Sequence, residues 1–383
     1  MNDELTGAVN SIKRRLIDFT PAGPAAPDLI WKQSANRIFV ERHQFPVPAF
    51  VLFLLHGVCG FPLGRRGEKT HWVVPFCYKG VQCAISYEKF GIHFYLDEIP
   101  KHRVDAAEIL GKLKKAGEAS EKSILAKMAQ MQIKSGNITI ANQFPRFRDV
   151  YDYFRNRAVE CFKSPKQENV KEGMDGLVEA LNTNNRAMTE GVYNALAMIE
   201  AYFSCLEHFL VLALPFASFD RKSDNLSTFV GGLWSEKMRR VLPWTDPKTQ
   251  AFYSRLVSIK EKYRNTFAHG GFEKKGASFY FHLPPFGAIP ASMSGHRDSV
   301  HFNFFPLEQS SFREVCNLFD EFDGWLRKEA LPLAWKFAER GLSLRFDQSY
   351  LEELFKASID EETYNKWIER ESYYADMYSN ADY

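Results

Sequence analysis

Four residues separate Arg264 from His269 in the run Tyr263-Arg264-Asn265-Thr266-Phe267-Ala268-His269-Gly270-Gly271. These two side-chain types suit cleavage of RNA through its own 2′-hydroxyl. That reaction needs a base for the hydroxyl proton, an acid for the departing 5′-oxygen, and fixed positive charge on the crowded phosphate. Histidine, with an unperturbed pKa of about 6.5, serves as base or acid near neutrality, and arginine offers a planar fork to phosphate oxygens. Such chemistry needs no metal, and the nearest carboxylates, Glu261 and Glu273, do not form the converging acidic set a two-metal nuclease requires. The same residues also have a plain structural reading, in which Arg264 caps a helix C-terminus and His269 packs beside Gly270, both favourable at the negative dipole end. On one ideal helix the two lie about 140° apart, so a frayed last turn or a second copy of the helix has to bring them together.

The helix that carries them is predicted from Phe252, Leu256, Ile259, Tyr263 and Phe267, whose spacing of four, three, four and four makes one apolar stripe. Asp246 can cap its start, Pro247 suits the first helical position, and Gly270-Gly271 marks a stop. Arg264-Asn265-x-x-x-His269, closing an amphipathic helix and followed by small residues, resembles the R-x-x-x-x-H signature of HEPN domains. These are all-helical ribonucleases and nucleotide-binding modules of prokaryotic conflict systems. The long helix before the motif fits as well, with Glu200 and Glu207 in AMIEAYFSCLEHFLVL. The resemblance covers roughly residues 171–340, under half of the chain.

What the resemblance implies is a catalytic pair, Arg264 and His269, with Asn265 as an orienting hydrogen-bond group and Glu200, Glu207 and Tyr263 as supporting residues. It further implies that two copies of the motif meet across a homodimer to form one composite site, with RNA as substrate and no cofactor. Antiviral defence, abortive infection or stress-triggered growth arrest is the usual setting, so a phage or host trigger or an antitoxin partner is implied too. Some members carry, two residues after the histidine, a tyrosine that a partner nucleotidyltransferase modifies; here that position is Gly271.

Other residues carry weaker signals. Lys260, Lys262, Lys274, Lys275, Arg239 and Arg240 surround the motif in sequence, with Lys237, and read either as an RNA-backbone footprint or as a solvated helix face. Residues 64–70, GRRGEKT, resemble a phosphate-binding loop, but Glu68 stands where that motif needs glycine, so an exposed loop is the better reading. His56-Gly57 suits an oxyanion turn, yet no G-x-S-x-G follows it. His282, His296 and His301 have no Cys or acidic partner at ligand spacing, and no metal site is expected. Tyr373, Tyr374, Tyr378 and Tyr383, with Asp376 and Asp382, form a tail that reads as disordered, or as an acidic aromatic segment able to occupy a basic, base-stacking groove.

These candidates need a scaffold, and 383 residues suffice for two domains. With 45% hydrophobic and 25% charged residues the composition is globular and excludes a disordered or collagen-like chain. Lys plus Arg at 49 against Asp plus Glu at 47 leaves +2, which excludes a chain-wide cationic field and makes any RNA contact local. Aromatic residues at 15%, 33 of them Phe, point to thick apolar faces, part of which can serve an interface. Six cysteines without a C-x-x-C pair suggest neither a disulfide framework nor a zinc cluster and fit a reducing cytoplasm. The N-terminus lacks an apolar signal region, and the uncharged residues 45–64 are broken by Pro46, Pro48, His56, Gly57, Gly60 and Pro62, so no membrane partner is expected.

Along the chain, the proline-rich residues 20–28 read as an extended arm with folded structure starting after it. Between residues 36 and 97 the period is two: Trp72, Val74, Phe76 and Tyr78 share a face, as do Val81, Cys83, Ile85 and Tyr87 after Lys79-Gly80, and Ile92, Phe94 and Leu96 follow. That predicts an antiparallel meander with one buried face, and places Pro75 at an edge or bulge. Helix is expected over 104–134 and 147–162 around a β-like 137–141, then a linker at 164–169. A long helix from about 186, a helix over 226–242 and the motif helix follow. Two β-like stretches, 277–283 and 300–305, precede helix over 307–340.

The predicted fold class is an α+β N-terminal domain with an antiparallel sheet, followed by a mainly α-helical HEPN-like bundle with a β-hairpin-like insertion. Its parts are an N-terminal arm (1–28), an α+β sensor or binding domain (29–165), a HEPN-like helical domain (166–345), and a C-terminal helix with an acidic, Tyr-rich tail (346–383). The expected function is a cytoplasmic, metal-independent endoribonuclease, a toxin or antiviral effector controlled by its N-terminal domain. The rival is a catalytically silent HEPN-like module that dimerises or binds nucleotide in a partner-binding protein.

Overall fold

The computed structural model describes residues 3–23, 35–41, 43, 47–97, 105–163, 174–217, 219–220, 224–265, 278–284, 287–294, 299–301, 307 and 309–380. The chain forms two compact units, Met1–Ser135 with Asp376–Tyr383, and Gly136–Ala375. An α+β N-terminal region with a five-stranded antiparallel sheet is thus followed by a mostly helical half, as the sequence predicts.

In the first unit, α1 (Asp3–Arg15) leads into β1 (Phe19–Pro21). Ile12 and Leu16, one helical turn apart, and Phe19 are buried, and the Phe19 ring packs at 5.4 Å from Phe76 and 4.9 Å from Tyr78. Helix and strand are therefore present from Asp3 to Pro21, which corrects the expected arm over 1–28; residues 24–28 of that arm lie outside the described residues. After β2 (Asn36–Val40) comes α2 (Pro48–Leu52), continued by a wider i→i+5 turn over Phe53–Val58. The meander then follows as β3 (Thr70–Tyr78), β4 (Val81–Glu88) and β5 (Gly91–Leu96), and the sheet order is β1-β3-β4-β5-β2.

Trp72, Val74, Phe76 and Tyr78 join one core with Val51 of α2, with Leu54 and Leu55 of the wider turn that continues it, and with Ile109 and Leu113 of α3 (Ala106–Ser120). α3 runs on through a wider turn into α4 (Ala126–Lys134). Lys79 and Gly80 both have positive φ, 48° and 84°, the conformation of a two-residue hairpin turn whose twist matches its strands. Pro75 pairs with Ala84, while β1 reaches only Phe76 to Tyr78, so among the described residues no strand pairs with the far side of Pro75.

The opposite sheet face is buried too, against the expectation of one buried face: Val73, Ala84, Ser86, His93 and Tyr95 are all under 9% exposed. Gly64 lies over it, its N–H donating to the Val73 carbonyl at 2.9 Å, and a Cβ there would come 3.3 Å from Val73 Cγ1.

The second unit opens with β6 (Thr139–Ile140), α5 (Phe144–Phe162) and α6 (Met174–Ala213). Next come α7 (Leu226–Gly231), α8 (Trp234–Val241) and α9 (Pro247–Ile259). β7 (Ser278–Leu283), β8 (Gly287–Ser294) and β9 (Ser299–His301) form a three-stranded sheet in that order. α10 (Gln309–Trp325), α11 (Pro332–Glu339), β10 (Leu344–Arg345), α12 (Gln348–Ala357) and α13 (Glu361–Asn380) complete the chain. β10 pairs with β6, so residues 136–163 belong to the helical unit and the boundary falls at 135/136 rather than at the expected 165/166.

α6 is long and apolar enough to span a membrane, but its most apolar stretch is 72% buried as the axis of this core. α5 packs along it, and Gly191 admits the Phe162 ring where a Cβ would come within 2.9 Å. Three further corrections concern local chemistry. The helix expected over 226–242 divides at Gly232, where the Glu236 carboxylate accepts the Leu233 N–H at 3.0 Å and starts α8. The insertion gains a middle strand, β8, whose Pro290 pairs with Tyr280 of β7; residues 302–305 of the expected second strand lie outside the described residues. The tail read as disordered is helical through Asn380.

Candidate functional site

The motif helix forms where its caps are. Asp246 accepts the Lys248 N–H at 2.9 Å, Pro247 opens α9, and Phe252, Leu256, Ile259 and Tyr263 are buried as one stripe. α9 then widens into an i→i+5 turn over Lys260–Asn265, and this turn packs against α6. Arg264 and Asn265 close that turn. His269, with Phe267, Gly270 and Gly271, lies outside the described residues, as do Lys274 and Lys275. Tyr263, 4% exposed, is a core residue, with Lys262 Nζ at 5.0 Å from its ring.

The two glutamates of α6 separate in role. Glu207 accepts from Lys237 Nζ at 2.6 Å, so its carboxylate is committed to a lysine of α8 that is itself buried. Glu200 sits half-buried two turns earlier.

The cations around the helix also sort into two classes. Arg240 donates to the Ala217 carbonyl and to the Asp224 carboxylate, both at 2.7 Å, which makes it a structural clamp; this hydrogen bond holds the Asp224 carboxyl below its usual value. Arg239 instead lies over aromatic rings, 4.9 Å from Trp244 and 5.7 Å from Tyr253, and Lys260 lies 5.2 Å over Trp234.

Sequence reasoning missed a polar centre inside the helical unit. Arg148 Nη1 of α5 lies 2.5 Å from Asp323 Oδ2 of α10, and Tyr202 of α6 donates to Asp323 Oδ1 at 2.8 Å. Burial pushes the Asp323 carboxyl up while Arg148 and Tyr202 oppose it. Beside it Arg155 holds Asp320 with two bonds, at 2.6 and 2.5 Å. The available signal was periodic: Arg148 and Arg155 are seven residues apart, and Asp320 and Asp323 three, so each pair shares a helix face. His208 of α6 accepts the Gln143 N–H at Nε2, 2.9 Å away, and burial holds its imidazole below the usual value.

The first unit holds a second cluster. Glu88 accepts Ser86 Oγ and Tyr95 OH, each at 2.6 Å, and Arg37 Nη2 at 2.7 Å. His93 Nδ1 stands 3.4 Å from the same carboxylate. The loop at 64–70 runs into strand β3 rather than into a helix, with Arg65, Arg66, Glu68 and Lys69 exposed, and so lacks the helix N-terminus a phosphate loop uses. His56 Nδ1 bonds the Phe61 carbonyl at 2.7 Å and closes a turn. His282 is exposed, and His296 lies outside the described residues.

Comparison with protein-family models, curated proteins and solved structures finds no match for this chain.

Proposed function

We propose that this protein is a HEPN-like endoribonuclease whose second unit cleaves RNA by transesterification at Arg264, Asn265 and His269. The observation that carries the reading is the motif's setting: Arg264 closes an amphipathic helix whose Phe252, Leu256, Ile259 and Tyr263 are buried in a helical core, against a long apolar α6. In the step proposed, His269 takes the 2′-hydroxyl proton, the 2′-oxygen bonds to phosphorus, and the bond to the 5′-oxygen breaks as that oxygen is protonated. The products are a 2′,3′-cyclic phosphate and a free 5′-hydroxyl. Arg264 supplies the positive charge on the phosphate, and Asn265 orients it.

Because one helix separates Arg264 from His269 in angle, the site is completed by a second copy of the chain, in a homodimer. The first unit serves as the sensor that restrains this activity until a phage or host trigger arrives, in the setting of antiviral defence or growth arrest in the cytoplasm.

The test is incubation of the purified full-length protein with total RNA in EDTA, beside Arg264→Ala and His269→Ala. Cleavage by the parent alone is expected. Equal cleavage by all three proteins would sink the reading, and no cleavage by the parent would leave the silent dimerisation module in its place.

A further inference from the structure

We propose that Arg239, held over Trp244 and Tyr253, forms with Lys262 a landing surface for single-stranded RNA that runs along α9 to Arg264. The proposal rests on the ribonuclease reading above and names how that site receives its substrate.

The argument begins with which cations are already spent. Lys237, Arg240, Lys248 and Arg255 each face a carboxylate at 2.6 to 2.8 Å. Among the described residues Arg239 makes no hydrogen bond or ion pair; two rings hold it, at 4.9 and 5.7 Å. Among the same residues Lys262 meets the Tyr263 ring, at 5.0 Å, and no carboxylate. A guanidinium positioned by aromatic faces rather than by a carboxylate keeps its full charge and its donors for a ligand. The two carboxylates nearest Arg239 in sequence are occupied at helix starts: Glu236 accepts the Leu233 N–H and Asp246 the Lys248 N–H.

Geometry joins these groups to the motif. Tyr253 and Lys260 are seven residues apart, two turns on one helix face, and both meet Trp234, at 5.6 and 5.2 Å. Trp244 stands edge-on to Tyr253 at 5.0 Å, so rings and cations alternate across α8 and α9. The backbone at Arg264 follows Lys260 by one turn, and the helix from Tyr253 to Arg264 is about 16 Å long, the span of a few nucleotides.

The chemistry favours a single strand. Unpaired bases stack on aromatic and guanidinium planes while cations follow the phosphates, and this is tolerant of sequence. A duplex keeps its bases inside and would leave Trp244 and Tyr253 unused, and an acidic protein would need the charges but not the rings.

The experiment measures fluorescence anisotropy of a labelled 12-nucleotide single-stranded RNA on full-length protein carrying His269→Ala, so that the probe survives. Arg239→Ala and Trp244→Ala should each weaken binding about tenfold, a typical loss for one stacked base. Arg239→Lys, which keeps the charge on an exposed position and therefore the fold, should lose nearly as much. Unchanged affinity in both Arg239 variants overturns the proposal. So does equal binding of the same sequence as a duplex, or displacement by polyglutamate with the same dependence on Arg239. Normal binding by the Arg239 variants alongside His269-dependent cleavage overturns the landing surface alone. Arg239-dependent binding without any cleavage by the parent upholds the surface and overturns the ribonuclease reading.

Discussion

Lys237 Nζ donates to Glu207 Oε1 at 2.6 Å, with the lysine side chain 3% exposed and the glutamate side chain 40% exposed. The pair is lopsided: one charge has left water and the other has not. Glu207→Ala should therefore strand a buried ammonium and cost about 1–3 kcal/mol, far more than removal of an ordinary surface carboxylate. Lys237→Met removes the buried charge together with its need for a partner, leaves Glu207 hydrated, and should cost about 1 kcal/mol or less. Urea unfolding of the two variants checks the order, and a costlier Lys237→Met would contradict it.

Asp323 should prove the most sensitive polar residue of the helical unit. It is 8% exposed, lies 2.5 Å from Arg148, and accepts from Tyr202. Removing it leaves the Arg148 charge and the Tyr202 hydroxyl without their partner, so Asp323→Ala should destabilise by about 3–5 kcal/mol. Arg148→Met combined with Asp323→Leu removes both charges and should recover most of that loss. Additive single and double effects in chemical denaturation would show that the pair is not coupled.

What was legible in the chain was what local periodicity and turn chemistry determine. The faces of β3 and β4 follow from alternation through Trp72 to Tyr78, and Lys79-Gly80 announces its own turn. Asp246-Pro247 marks the start of α9 to the residue. The helix over Pro48–Val58 was hidden because Pro46, Pro48 and Gly57 read as breaks, although Pro48 stands at the first helical turn, where a missing N–H costs nothing. α6 begins at Met174 rather than near 186; Met174, Leu177, Val178 and Leu181 have helical spacing, but the polar run 182–186 after them reads as a break. The cations of the candidate site could be counted but not sorted, because the partners that spend them are remote: Asp224 lies 16 residues from Arg240, and Glu207 lies 30 from Lys237 on another helix.

The first unit should lose stability on mild acidification. Burial holds the His93 imidazole below its usual value despite Glu88 beside it. A histidine depressed in the folded state contributes its stability above the unfolded value of about 6.5 and loses it as pH falls from there. Glu88 acts later: against burial, which raises it, bonds from Ser86 and Tyr95 and the charges of His93 and Arg37 hold it below the usual carboxylate value. Its contribution is lost only below about pH 4.3. Thermal midpoints between pH 7.5 and 5 should fall less steeply in His93→Gln than in the parent. His208 is depressed by burial in the same window, so some slope should survive in that variant. Identical slopes would show that His93 titrates alike in the folded and the unfolded chain.

The proposed cleavage should depend on the substrate's own 2′-hydroxyl and on no added metal. The motif brings an imidazole, a guanidinium and an amide, none of which generates hydroxide from water as a bound divalent ion does. The nucleophile must then be carried by the RNA, and a 2′-methoxy group at the scissile nucleotide removes the proton His269 is proposed to take. Such an RNA should bind as the parent RNA does, because the phosphates and bases that Arg239 and Trp244 would meet are unchanged, and yet stay uncut. Gel analysis of matched 2′-hydroxyl and 2′-methoxy oligonucleotides, with and without EDTA, separates the alternatives. Cleavage of the methoxy RNA, cleavage of DNA, or activity abolished by EDTA and restored by magnesium would each assign the reaction to another mechanism. A cyclic phosphate end on the product, detected by its conversion in mild acid to a monophosphate, would assign it to this one.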